Sequence, residues 1–213
     1  MLMKNPISPP PQKEGKQLDC HEPLEFPSLS ESQAFYLIAR KRLLDINCWH
    51  EISESPSAKF CIIDADLGRR DRQAQEGDFI RIDIPGPGLP SADGYDWVQI
   101  ERIEESESAT KREICLTLRP CADPTNNSSD IAHFFKNLAT STLLIQQNYN
   151  KVNIHYAGRN ELVNLENESI SDNIRNFFVG VFAKVGASYP QWKALIKGIA
   201  KTDTSSSTFI DEN

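Results

Sequence analysis

Gly158-Arg-Asn-Glu161 places a guanidinium, an amide and a carboxylate side by side at the end of a strand-like run. Arg159 offers the fork that clamps a carboxylate or phosphate, and Glu161 a carboxylate able to act as a base, if that strand end opens into a pocket. The plainer reading is a turn bent at Gly158 and capped by Asn160, with Arg159 in a surface ion pair. Tyr95-Asp-Trp97 is the second constellation. Tyr and Trp are amphipathic anchors, common in cores with one wet end and at binding hot spots. The triplet follows the run 85–94, in which three prolines and three glycines make a tip both stiff and sterically open. Loops of that kind on a rigid scaffold often carry binding. The candidate ligand-binding residues are therefore Tyr95, Asp96, Trp97, Arg159, Asn160 and Glu161, and no pattern marks a catalytic residue.

Other reactive groups read as structural. Cys48-Trp-His50 lacks a third group to orient a nucleophile and base, and Trp49 reads as an anchor between helix and sheet. Histidines 21, 50, 133 and 155 show no close metal-ligand spacing, His21 falls in a stretch that reads as disordered, and alternation sets His155 opposite Val152, Ile154 and Tyr156. They are expected to be solvated or hydrogen-bonded, with no metal and no cofactor. Asp64-Ala-Asp66-Leu-Gly68 begins like a calcium loop but lacks its later ligands, so a polar turn is expected. Gly86-Pro-Gly88 is no phosphate cradle, because its proline removes a backbone donor and no helix start follows.

The formal charge of -7 on 213 residues argues against nucleic acid as a partner, since the densest basic run, Arg69-Arg70-Asp-Arg72, contains an acid. No apolar run has the length of a membrane span. The first residues lack the continuous apolar segment of a secretory signal, and five cysteines without a Cys-x-x-Cys argue for reduced thiols. A cytoplasmic protein is the expectation.

The elements that position these residues follow from periodicity. Residues 1–27, rich in proline and polar side chains, read as a flexible arm, and residues 203–213 as a disordered tail, leaving residues 28–202 as a single domain. A capping box at Ser30 and Gln33 opens a helix through Ile46. Strand candidates cover residues 59–64, 79–84, 97–103, 113–119, 140–147 and 151–157, the last two joined by Asn148-Tyr-Asn150, with asparagines suited to left-handed backbone. The third of these strands returns from the 85–94 loop to complete a hairpin. Residues 131–138 read as a short amphipathic helix. Ile174, Phe177, Phe178, Val181, Phe182 and Val185 form a helical stripe ending at Gly186, and Ser188-Tyr-Pro-Gln191 opens another helix with Trp192, Leu195, Ile196 and Ile199 on one side.

The fold class is α+β: about six mostly antiparallel strands in a curved sheet or small barrel, packed against an N-terminal helix and two C-terminal helices. This element order is similar to that of helix-gripping lipid-binding folds. The function expected is a non-enzymatic binding module recognising a small molecule or partner protein through loop 85–94 and the aromatics beside it. An assembly subunit forming a homo-oligomer, or an acid-base enzyme using Glu161 or Asp96 with Arg159, are the alternatives.

Overall fold

Alternating apolar residues build one antiparallel sheet, and the helices that flank it in sequence close over a single face. The computed structural model describes residues 7–53, 58–83, 95–125, 138–161 and 188–202. The strands are β1 (Lys16–Glu25), β2 (Lys59–Ile63), β3 (Phe79–Asp83), β4 (Asp96–Glu107), β5 (Lys111–Pro120), β6 (Thr140–Asn148) and β7 (Lys151–Glu161). The helices are α1 (Leu29–Leu44), the single turn α2 (Trp49–Ile52), joined to α1 by a 3-10 turn at Ile46–Cys48, and α3 (Ser188–Ala200). The sheet order is β1-β7-β6-β5-β4-β3-β2. Every neighbouring pair is antiparallel. Among the described residues β1 and β2 are its two edges, so the sheet is open and not a barrel.

The expected arm is overturned where it matters most. Residues 16–25 form an edge strand on β7, with Cys20 opposite Tyr156 and Leu24 opposite Val152. Cys20 is buried, and Leu18 and Leu24 pack against the core. Pro23 misled the composition argument, because a proline is tolerated on an edge strand. Asn160 holds the preceding segment: its Oδ1 accepts from the Lys13 N–H at 2.7 Å, and its own N–H donates to Gln12 Oε1 at 2.9 Å.

Helix α1 starts two residues before the predicted point. Ser28 is the cap, its hydroxyl accepting from the Glu31 N–H at 3.2 Å. The far end is fixed by Trp49, fully buried, whose indole donates to the Leu43 carbonyl at 3.1 Å and meets Phe60 edge-on. Trp49 is thus the anchor its setting implied. In α3, Leu195, Ile196 and Ile199 are buried as their spacing predicts, and Trp192 stacks on Tyr156 with ring centroids 4.4 Å apart. The helix-side core joins Phe35, Tyr36 and Leu43 to Ile80, Ile100, Leu116, Ile145 and Ile154. In β5 the two faces are not half-wet as alternation suggests: Ile114 through Leu118 are buried without a break.

Two turn expectations change and a third holds. At the β6–β7 hairpin the left-handed residue is Tyr149, at φ 51°, and not an asparagine. Tertiary contacts impose this: its carbonyl accepts the Ser32 hydroxyl at 2.6 Å, and its N–H donates to the Thr110 carbonyl. Residues 158–161 do not end β7 but continue it through a bulge, marked by Asn160 at φ 55° and a register shift opposite Gln17. The 64–68 segment is the polar turn expected of it, with Asp64 Oδ1 accepting from the Asp66 and Gly68 N–H groups. Loop 85–94, the helical stripe at 174–185, the tail at 203–213 and all but the last residue of the 131–138 helix lie outside the described residues.

Candidate functional site

Strand parity divides the expected ligand-binding residues between two faces. Asp96 pairs with Ile82 and shares its face with Val98 and Ile100, the helix-covered side. Tyr95 and Trp97 project to the other face and join a small cluster with Ile63, Phe79 and Cys121. Trp97 is therefore a packed residue and not an exposed anchor. Trp97 is 3% exposed and Asp96 5%, while Tyr95 carries the Arg81 guanidinium 4.5 Å from its ring centroid. Among the described residues, the buried Trp97 indole N–H has no hydrogen-bond partner.

Arg159 and Glu161 are parted in the same way. Arg159 lies on the outer face of β7, where its guanidinium donates to Asp19 Oδ1 at 2.7 Å and to the Gly158 carbonyl at 2.8 Å. Glu161, past the bulge, folds back over Gly158 on the helix-covered side, where any Cβ on Gly158 would sit 2.3 Å from Glu161 Oε1 and 3.2 Å from the Tyr156 hydroxyl. The clamp and base envisaged for an acid-base enzyme therefore face opposite sides of the sheet. Asn160 belongs to neither, since its side chain is spent on the N-terminal segment.

Two of the polar groups on the helix-covered face bear on a site. One is the set formed by Tyr156, Ser141 and Glu161: the Tyr156 and Ser141 hydroxyls lie 3.0 Å apart, beneath the Trp192 ring. Burial raises the Glu161 carboxyl above the usual range against the pull of Lys16, Arg159 and Tyr156, and burial likewise pushes the Tyr156 phenol far up. The other is Asp96. Desolvation alone pushes its carboxyl up to about 8, and among the described residues it has no hydrogen-bond partner. At neutral pH it is therefore largely an uncharged acid. Strands β7 and β4 are separated by β6 and β5, so the two groups stand about 14 Å apart across the sheet, a span to border one cavity and not one catalytic centre.

On the outer face, sequence reasoning missed a meeting of side chains because it placed His21 in a disordered arm. His21 and His155 are directly opposite in the β1–β7 ladder, their rings stacked with centroids 4.0 Å apart. His155 Nε2 lies 2.8 Å from Asp19 Oδ1. Burial works to raise Asp19, but hydrogen bonds from Arg159, Gln17 and His155 outweigh it and hold the carboxyl far below the usual range. Burial lowers His155 against the opposing effect of Asp19, which favours the neutral imidazole. The signal in the sequence was the period-2 run Leu18, Cys20 and Leu24, which sets Asp19 and His21 together on the other side.

No protein-family profile and no curated protein matches the chain. Among solved structures it is similar to protein Ms6760 from Mycobacterium smegmatis, at 15% identity and a TM-score of 0.39 over 91% of this chain and 99% of that one. A conserved protein from Geobacillus kaustophilus aligns at 13% identity and a TM-score of 0.35 over 87% and 95% of the respective chains. Truncated norcoclaurine synthase from Thalictrum flavum aligns at 9% identity and 0.34 over 90% and 99%. Likeness at this level carries no argument about activity. What the coordinates define is the class: an α+β protein with an open, seven-stranded antiparallel sheet covered by helices on one face. No helix among the described residues is long and apolar enough to cross a membrane.

Proposed function

We propose that the protein is a non-enzymatic binding module that takes a small, mainly apolar molecule against the helix-covered face of its sheet, close to loop 85–94. The observation that carries this reading is Asp96, a buried carboxyl held neutral by its surroundings with no hydrogen bond among the described residues. An unsatisfied buried polar group costs about 1 to 3 kcal/mol, and a ligand acceptor seated beside it would remove that cost. An apolar site with a few placed polar groups is the usual make-up of a small-molecule pocket. Asp96 replaces the wider set of ligand contacts expected from sequence, since Arg159 and Asn160 are engaged elsewhere.

The test is a fluorescence titration with 8-anilinonaphthalene-1-sulfonate. Saturable uptake by the folded protein, at least tenfold weaker in Asp96→Leu and lost on deletion of residues 86–92 with melting still cooperative, is the expected result. No saturable uptake, or equal uptake by Asp96→Leu, removes Asp96 from the site. Assembly is a second reading with its own observation: Leu37 and Ile38, adjacent on α1, are 56% and 45% exposed. It requires concentration-dependent oligomers in light scattering that Leu37→Glu abolishes.

A further inference from the structure

We infer that Asp19, His21 and His155 form a binding site for a divalent transition metal of the zinc type, a clip that fastens the N-terminal edge strand to β7. Each of the three offers one ligand atom, and these atoms all lie within 4.8 Å of one another. Two imidazoles and a carboxylate are a donor set that Zn2+ accepts, with remaining coordination positions left to water.

The cross-strand geometry supplies what sequence spacing does not. His21 and His155 are 134 residues apart in the chain yet directly paired in the ladder, and Asp19 shares the His21 side of β1. His155 Nε2 and Asp19 Oδ1 already point at each other across 2.8 Å. For Nε2 to ligate, its proton passes through solvent to Nδ1 of the same ring, so the imidazole stays neutral and the ion takes the proton's place between the two atoms. The His21 ligand atom lies within 4.8 Å of both. The carboxylate is held for the purpose by its neighbours: Arg159 donates to Oδ1 at 2.7 Å and Gln17 to Oδ2 at 2.8 Å. Such outer contacts orient a metal-binding carboxylate, and the Arg159 charge lowers affinity while it fixes the geometry. Among the described residues, the other polar neighbour of His21 is Asn153, 3.5 Å from Nδ1.

The experiment is calorimetric titration of the full chain with ZnCl2, repeated for His21→Gln and for His50→Gln, with thermal melts in parallel. His21 is exposed, so its replacement leaves the fold intact. The expected result is one ion per chain, a higher melting temperature with zinc, at least tenfold weaker binding for His21→Gln and unchanged binding for His50→Gln. In histidine NMR spectra the His21 and His155 ring signals should be the ones that move. Binding no tighter than about 1 mM, equal binding by His21→Gln, or loss of binding in His50→Gln would each overturn the inference. Failure here leaves the Asp96 reading untouched, since the two sites lie on opposite faces of the sheet.

Discussion

Asp96 concentrates the chemistry of this chain in one side chain. Its folded pKa of about 8 stands above the ordinary value of 3.8, with desolvation as the cause. A carboxyl raised in this way binds its proton more tightly in the folded state, so folding is favoured below the ordinary value and loses that contribution as pH climbs toward 8. The slope is at most about 1.4 kcal/mol per pH unit between those limits. Asp96→Asn, which cannot ionise, is expected to flatten stability between pH 5 and pH 8 relative to the native chain and to be the more stable of the two at pH 8. Urea unfolding of both proteins across that range measures the difference, and parallel curves would contradict the assigned ionisation. The sequence singled out this residue through its aromatic neighbours, yet its environment was not legible there. Alternation says only that Asp96 opposes Tyr95 and Trp97; that its side is the helix-covered one follows from pairing with Ile82.

Among the elements, α3 shows how a close approach can outweigh helix propensity. A Cβ on Gly198 would lie 2.1 Å from the Ile52 carbonyl oxygen of α2, so the two helices touch backbone to backbone. Alanine is a better helix former than glycine by about 1 kcal/mol. Gly198→Ala is nevertheless expected to destabilise the protein by roughly 1 to 3 kcal/mol, because the clashing atom belongs to backbone and cannot swing aside. A melting temperature at or above that of the native chain would show that α2 can shift. The strongly periodic elements, β2 through β7 and the α3 stripe, were readable because burial on one face writes period 2 or 3.6 into the sequence. The bulge at Asn160 and the left-handed Tyr149 were not, since each conformation is imposed by partners distant in the chain: Gln12 and Lys13 for the first, Ser32 and Thr110 for the second.

For the whole molecule, the consequence of the topology falls on the segment that composition would discard. Removing residues 1–27 strips β1 from β7, exposes the ladder partners of Cys20 and Leu24, and removes contacts between β1 and α3. Each fully buried aliphatic side chain is worth roughly 1.5 to 3 kcal/mol, and the bared β7 becomes an open edge. The truncated chain is expected to lose cooperative melting or to aggregate; a soluble monomer with native melting would restore the view of those residues as an arm. By itself the sequence determined the α+β class, six of the seven strands and the two helices that bracket the described core, because local periodicity records which face of each element avoids water. The tertiary structure alone decided that residues 16–25 are a strand, that Arg159 and Glu161 part company, and that His21 meets His155. An edge strand has one neighbour and little apolar surface, so its signal is weak, and parity assigns a face only once the register with that neighbour is fixed.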